Sequence, residues 1–221
     1  MIAVVGTPAW SGGERPSPAG RACRIALAAA AAGSKVEIVG RTGDDAAGDA
    51  LLLALARDGV GHVAMLRDPA RATPIVAPAA DDAGDDATDL VEPPSPSSPA
   101  SGTEAPRLEA ADISLGLRYL PGFDVLVVTE HVPADALPVA VEAAEYAGAQ
   151  LVVLIRAGGR PGDGLPASAT VLEVPDDGGD GPFGGLVGRS AAALDGGAGP
   201  EAAFAAATDE AGWEALPAEP R

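Results

Sequence analysis

The stretch of residues 176–183, with the sequence DDGGDGPF, holds the groups best suited to chemistry. It leads into an apolar run that predicts a helix, and the N–H groups at the start of a helix bind anions such as phosphate. Two features oppose that use, because Pro182 lacks an N–H and three aspartates place negative charge at the positive end of the helix dipole. An acidic helix entry that satisfies only its own N–H groups is the structural alternative.

Other catalytic and metal-binding patterns are missing from the sequence. The two histidines, His62 and His131, and the single cysteine do not have the spacing of a zinc site, so no metal site is predicted from them. There is no G-x-S-x-G sequence. Gly158-Gly159 lacks the G-x-G-x-x-G spacing of a dinucleotide-binding fold.

The charge and the cysteine content restrict the partners and the compartment. A net charge of −18 opposes binding to nucleic acid and to anionic membranes. The lone Cys23 excludes an intrachain disulfide, which fits a reducing cytoplasm. Residues 1–6 do not have the pattern of a signal peptide, and no apolar run approaches the ~20 residues of a membrane span. We therefore predict a cytoplasmic protein without nucleic-acid or membrane partners.

Short apolar runs alternate with helix-prone segments along most of the chain. This alternation predicts a mainly parallel sheet covered by helices on both faces. Ligands of such sheets bind at the carboxyl ends of the strands, where the strand order reverses. Residues 40–44 are predicted to form a turn. The predicted strands are 2–5, 35–39, 60–66, 74–77, 124–128, 150–155 and 170–174, and the predicted helices are 21–32, 48–57, 108–119, 134–147, 182–194 and 200–213.

Residues 81–106 differ in composition from the rest of the chain. They are rich in aspartate, proline and serine, and such residues bury too little apolar surface to offset the entropy of ordering. We predict a flexible loop here, inserted into a single α/β domain that covers residues 1–221.

Three segments share their order and internal spacing with a known family. Residues 18–33 combine Pro-Ala-Gly with an alanine-rich helix that ends at Ala-Gly, and residues 39–60 read VGRTGDDAAG before a leucine-rich helix and Asp-Gly-Val. Residues 183–204 resemble the pair of helices that closes the same fold. The chain thus resembles the ribokinase/PfkB-type carbohydrate kinases in a shortened form. The resemblance implies a ribokinase-like three-layer α/β/α sandwich with a mainly parallel sheet, reduced in size.

The resemblance implies phosphoryl transfer from ATP to a sugar hydroxyl, with Mg²⁺ at the phosphates. Family members supply an anion hole and a proton-accepting aspartate from a Gly-Ala-Gly-Asp stretch that opens a helix, and residues 176–183 correspond to that stretch. Matching Gly-Asp makes Asp180 the catalytic base, whereas matching Phe183 puts Gly181 at that position. The candidate anion-hole residues are Gly178, Gly179 and Gly181.

The sugar-binding segments of the family correspond to altered residues in this chain. Ser11 lies near the position of a family aspartate, and Ala19-Gly20 replaces twin glycines. Arg24 replaces an asparagine, and a guanidinium suits a carboxylate or a phosphate better than a neutral sugar; a surface residue at a helix start is its alternative role. Asp45 keeps its family position, as a ligand or as a cap of nearby N–H groups. The candidate substrate-binding residues are Ser11, Gly20, Arg24, Gly43 and Asp45.

Two functional hypotheses follow from this comparison. Similar kinases have several strands between the strand that corresponds to residues 170–174 and the glycine-rich stretch, and here only Pro175 separates them. The favoured hypothesis is a carbohydrate-kinase homologue with weak or no phosphotransferase activity, which serves as a sensor of a small ligand or as a partner subunit. The alternative is an active ATP-dependent sugar or nucleoside kinase that uses ATP and Mg²⁺. Relatives dimerise through a small β lid, but the matching segments, residues 11–16 and 73–77, are short and polar or broken by proline.

Overall fold

The computed structural model describes residues 1–76, 105–162, 164–175 and 180–210, with the side chains of Asp180 and Glu210 excepted. These residues form ten strands and six helices. Most of the predicted loop at 81–106, together with Gly178 and Gly179, lies outside them. The strands are β1 (Ile2–Val5), β2 (Ala9–Ser11), β3 (Pro18–Ala19), β4 (Val36–Gly43), β5 (Val60–Gly61), β6 (Met65–Asp68), β7 (Ile75–Val76), β8 (Val125–Val128), β9 (Gln150–Ile155) and β10 (Thr170–Glu173). The helices are α1 (Arg21–Ala31), α2 (Ala46–Arg57), α3 (Ala110–Tyr119), α4 (Ala136–Ala147), α5 (Asp180–Asp195) and α6 (Pro200–Glu210).

Seven of the described strands form one parallel sheet in the order β10-β9-β8-β1-β4-β5, with β6 also paired to β4. Its central strands are the short runs of Val, Ile and Leu that the sequence predicts, and β1 and β8 are buried along their whole length. A parallel strand that is covered on both faces must be apolar on both faces.

The two faces of the sheet have separate cores. Ile2 and Val4 of β1 belong to a core shared with α1, α2, α5 and α6, whereas Ala3 and Val5 belong to a core shared with α3 and α4. Side chains that alternate between the faces of a strand account for this division. The result is a three-layer α/β/α sandwich, as predicted.

The helix ends follow ordinary local rules. Helix α1 is rich in alanine and is followed by Gly33, whose φ of 93° suits only glycine at low cost. Helix α3 begins with a capping box between Glu109 and Asp112. Helix α6 begins at Pro200 as predicted, but α5 begins at Asp180, so that Pro182 is its third residue.

Two of the predicted elements around β4 were wrong. Residues 40–43 do not form a turn but continue β4, which pairs with β6 at Gly40–Met65 and Gly43–Asp68. The strand predicted at 60–66 is divided into β5 and β6. A Cβ at Gly40 would lie only 2.8 Å from the carbonyl oxygen of Gly6, so this glycine serves close packing rather than a turn.

A small second sheet covers one end of the molecule. Its strand order is β3-β2-β7, with β2 antiparallel to β3 and parallel to β7. Of the two segments considered for a β lid, residues 73–77 contain β7, whereas residues 11–16 contribute only Ser11, the last residue of β2. Ile75 and Val76 of β7 are 59% and 40% exposed, and none of the helices in the described parts of the chain is long and apolar enough to span a membrane.

Candidate ligand site at the carboxyl edge of the sheet

The order of the strands in the chain reverses between β1 and β8. Strand β1 is flanked by β4 on one side and by β8 on the other. Helices α1 and α5 pack against each other, and α5 also contacts β1 and β8. A reversal of this kind opens a crevice at the carboxyl ends of the strands, where ligands of α/β sheets bind.

A buried ion-pair cluster occupies this crevice. Glu130, two residues after β8, has a side chain that is only 2% exposed, and its Oε1 lies 2.9 Å from Nε of Arg21, the first residue of α1. The same oxygen lies 3.1 Å from Nδ1 of His131. The Arg21 guanidinium also lies 5.5 Å from the ring centre of Phe183, in the first turn of α5. The cluster therefore joins β8, α1 and α5.

The protonation states of the cluster are coupled. Burial alone would raise the pKa of Glu130, but the contacts with His131, the backbone N–H and Arg21 outweigh it and hold that pKa below its usual value. The contact with Glu130 raises the pKa of His131, against opposing effects of burial, Arg156 and Arg21. Glu130 is thus an anion at neutral pH, and it favours the protonated form of its histidine neighbour.

No sequence pattern marked Glu130 or Arg21, and His131 stood out only as one of the two histidines. The usable signal was positional, because Thr-Glu-His directly follows the clearest predicted strand. Polar residues at the carboxyl end of a buried parallel strand lie where such sheets place their sites. Thr129 itself is buried, and a Cβ at Gly6 would come within 2.4 Å of its Oγ1, so β1 and β8 approach closely only because residue 6 is glycine.

Ser11, a predicted substrate-binding residue, is used by the small sheet. The residue is 3% exposed. Its Oγ accepts a hydrogen bond of 2.8 Å from the Ser17 N–H and lies 3.1 Å from the Ser17 Oγ. These contacts fix the connection between β2 and β3 rather than presenting the hydroxyl to a crevice.

Asp45 acts as a helix cap and as a clamp on the chain before β7. Its Oδ1 accepts hydrogen bonds from the Gly48 N–H at 2.8 Å and from the Thr73 hydroxyl at 2.6 Å. Its Oδ2 accepts one from the Thr73 N–H at 2.8 Å. Gly43 belongs to the same arrangement, since its N–H donates to the Thr73 hydroxyl at 3.1 Å. These contacts correspond to the capping role that was the alternative interpretation of Asp45.

Replacing Asp45 with alanine is expected to lower the free energy of unfolding at neutral pH by about 1 kcal/mol, as for other lost caps. Burial alone would raise the pKa of Asp45, but the hydrogen bonds from Thr73 and Gly48 lower it. The stabilisation is therefore present above the ordinary aspartate pKa of about 4 and is lost as the pH falls below it. Urea denaturation of the wild-type protein and of Asp45→Ala at several pH values measures this effect. The two free energies of unfolding should become equal at low pH.

Asp135 gives a matched control for that measurement. It is also an N-cap aspartate, at the start of α4, but its side chain makes no cap hydrogen bond. Asp135→Ala is expected to change stability by less than about 0.5 kcal/mol. An equal loss in both variants would contradict the role given to the Asp45 contacts.

The remaining predicted residues lie near the two helix starts. Gly20 is the N-cap of α1, with a φ of 79°. Arg24 of α1 is half-buried. A Cβ at Gly184 of α5 would lie 2.8 Å from the Arg24 Cβ. Gly181 is partly buried in the first turn of α5. The Asp180 backbone opens that helix, and its side chain is outside the described residues.

The described residues provide little for a nucleotide or a metal ion. Two cavities of about 580 and 890 Å³ are lined by residues 35–63 and 114–147, at the amino-terminal ends of the strands, away from the ion-pair cluster. No group of three His, Cys, Asp or Glu side chains suited to a metal occurs within the described ranges. Only residues 174–179 separate β10 from α5. The stretch that the resemblance assigns to the phosphates, residues 176–179, lies outside the described ranges, and we assign Mg²⁺ no step.

Comparisons with known proteins define the class of fold. Neither a family model nor a curated protein sequence matches the chain. Ribokinase II from E. coli, solved with ATP and Mg²⁺, superposes with a TM-score of 0.62 at 13% identity over 93% of this chain and 89% of that one. A PfkB protein from Polaromonas sp. JS666 gives a TM-score of 0.52 at 21% identity, over 72% of this chain and 56% of that chain.

A third similar structure is fructokinase with bound ATP from Xylella fastidiosa, with a TM-score of 0.50 and 18% identity over 95% of this chain and 64% of that one. The chain therefore spans under two thirds of the length of two of these three proteins. The fold is ribokinase-like. It is a shortened form of that fold, with the seven-stranded parallel sheet and the small second sheet described above.

Proposed function

We propose that the chain is a ribokinase-like carbohydrate-kinase homologue that binds a small ligand at the carboxyl edge of its sheet and transfers phosphoryl groups weakly or not at all. The observation that carries this proposal is the internal use of the sugar-binding candidates. The polar atoms of Ser11, Gly43 and Asp45 make the hydrogen bonds to Ser17, Gly48 and Thr73 described above. Groups bonded within the protein gain little from a ligand hydroxyl, because binding must first break those bonds.

The charge around α5 supports the same proposal. Asp180 opens the helix, and Asp176 and Asp177 precede it in the sequence. Their negative charge opposes an entering triphosphate at the helix end that would otherwise attract it. Pro182 removes an N–H donor from the first turn. The anion hole assigned to Gly178, Gly179 and Gly181, with Asp180 as base, therefore remains the weaker part of the kinase hypothesis.

The alternative function is an active ATP-dependent sugar or nucleoside kinase. Its support is the similarity to E. coli ribokinase II, which was solved with ATP and Mg²⁺.

In either case we propose a single cytoplasmic domain of residues 1–221 without nucleic-acid or membrane partners. The exposed β7 strand of the small sheet favours a homodimer or a protein partner, because Ile75 and Val76 leave apolar surface on an edge strand.

Calorimetry of Mg-ATP binding at low salt tests the proposal. We expect a dissociation constant of about 1 mM or weaker, a binding free energy near −4 kcal/mol. A panel of sugars and nucleosides, tested by thermal shift, is expected to include one compound that raises the melting temperature in proportion to its occupancy. Micromolar, saturable Mg-ATP binding that tightens with one sugar would instead establish the kinase alternative. If no compound of the panel binds, the small-ligand function is wrong, and protein partners are the next candidates.

A further inference from the structure

Helices α3 and α4 border a cavity of about 890 Å³ at the amino-terminal ends of the strands. Its volume lies in the range of small-molecule pockets, about 300–1,000 Å³. Leu117, Leu120 and Phe123 belong to the core on this face of the sheet and form the floor of the cavity. Val139 and Ala143 of α4 pack against the same core. The floor therefore suits the apolar part of a small ligand.

Two charged side chains of this cavity, one on each helix, have no partner among the described residues. Arg118 lies in the last turn of α3, and Glu142 lies on α4. Both are exposed, and neither forms an ion pair or a side-chain hydrogen bond within the described ranges. The third charged residue of the lining, Asp124, already accepts a hydrogen bond of 2.7 Å from the Met1 ammonium group. The cavity thus offers a ligand one cation and one anion.

The ends of the two helices add to this division of charge. Helix α4 ends beside the cavity at Ala147, and its last turn has no basic residue. The negative end of its dipole therefore acts together with the Glu142 carboxylate and favours an ammonium group. The last turn of α3 carries Arg118, whose planar guanidinium binds a carboxylate through two parallel hydrogen bonds. A ligand with an ammonium group toward α4 and a carboxylate toward α3 matches both sides.

We propose that this cavity binds a zwitterion with an apolar side chain, that is, an apolar α-amino acid or a short peptide of such residues. The carboxylate binds Arg118, the ammonium group binds Glu142, and the side chain lies on the apolar floor. Tyr146 borders the cavity and is 95% exposed, so its ring is available to pack on the bound side chain. This site is separate from the proposed ligand site at the carboxyl edge of the sheet and does not depend on it.

The other cavity, lined by residues 35–63, lacks such a free carboxylate. Its acidic residue is Glu37, whose Oε2 accepts a hydrogen bond of 3.4 Å from the Val63 N–H. The Glu37 carboxylate is thus bonded to the chain that follows β5. We therefore expect the zwitterion to bind between α3 and α4 and not at residues 35–63, which serve as an internal control.

NMR titrations of the full chain with phenylalanine and glycylphenylalanine test the class of ligand. The tighter of the two identifies the source as an amino acid or a peptide. Phenethylamine lacks the carboxylate and phenylpropanoate lacks the ammonium group, so each is expected to bind at least about tenfold more weakly than that zwitterion. Backbone resonances of residues 114–124 and 139–147 should shift, and those of residues 35–63 should not.

Two results of these titrations would overturn the inference. The first is binding of either analogue as tightly as the better zwitterion, because one of the two charges would then be irrelevant. The second is no saturable binding of either zwitterion at about 10 mM. Neither result bears on the proposed function, which concerns the other end of the sheet.

Three exposed side chains allow the two charges to be tested separately. Arg118→Gln and Glu142→Gln are each expected to weaken zwitterion binding about tenfold. Arg118→Gln should not weaken phenethylamine binding, and Glu142→Gln should not weaken phenylpropanoate binding, since each analogue lacks the group that the lost charge would bind. Glu145→Gln is the matched control, because Glu145 is exposed on α4 but does not line the cavity. An equal loss of affinity in Glu145→Gln would reduce the effect to general charge attraction and contradict the proposed contacts.

Discussion

Glu130→Gln is expected to lower the free energy of unfolding by about 3 kcal/mol, because it removes one charge of a buried ion pair and leaves the other in place. The side chains of Glu130 and Arg21 are 2% and 10% exposed, so water cannot replace the lost carboxylate at little cost. Glutamine has nearly the same size, and the loss therefore reports on charge rather than on a cavity. Chemical denaturation at neutral pH measures it.

An exposed carboxylate provides the control for this substitution. Glu142 lies on the exposed surface of α4, and Glu142→Gln is expected to change stability by less than about 0.5 kcal/mol. A loss below about 1 kcal/mol for Glu130→Gln would mean that the cluster behaves like a solvent-exposed ion pair. The crevice would then be more hydrated than the low exposure of the Glu130 and Arg21 side chains indicates.

Gly188→Ala is expected to cost about 2–3 kcal/mol, the usual range for overpacking, although alanine is the better helix former. A Cβ at Gly188 would lie 2.4 Å from the Ile25 carbonyl oxygen and 2.7 Å from the Ala28 Cβ. The first of these is backbone, which cannot rotate away, so α1 and α5 would have to separate. The starts of these two helices hold Arg21 and Phe183, and their separation would also disturb the ion-pair cluster.

Gly185 is the matched position on the same helix. A Cβ there would meet only the end of the Arg189 side chain, at 3.4 Å, and that flexible end can shift. Gly185→Ala is therefore expected to stabilise the protein by up to about 1 kcal/mol through helix propensity. Opposite signs for the two variants, measured by urea denaturation, would confirm the close contact of α1 with α5. Equal effects would disprove it.

The fold was predictable because most of its strands are short, fully apolar runs between recognisable helices. β1, β8 and β9 were found within a residue of their observed limits. The errors occurred where glycines had two interpretations. Gly40 and Gly43 suggested a turn, but they continue β4 because only a residue without a side chain allows the neighbouring backbone so close.

The candidate site was less predictable because its central contacts join distant parts of the chain. Arg21 and Glu130 are brought together only by the pairing of β1 with β8 and by the packing of α1. No local spacing marks such a pair. The strands β2 and β3 were missed for a related reason, since proline and serine disfavour strands locally, and their pairing depends on the tertiary fold.

The central position of β1 determines when the sheet can be completed during synthesis. β1 pairs with β4, which emerges soon afterwards, but its other edge must wait for β8, where Ile2 pairs with Val125. Until then the amino-terminal half of the chain presents an apolar strand with one unpaired edge. Parallel pairings at this sequence separation form slowly, and unpaired edges favour aggregation. A chaperone that binds extended apolar segments would therefore be needed most in the interval before residue 128 leaves the ribosome.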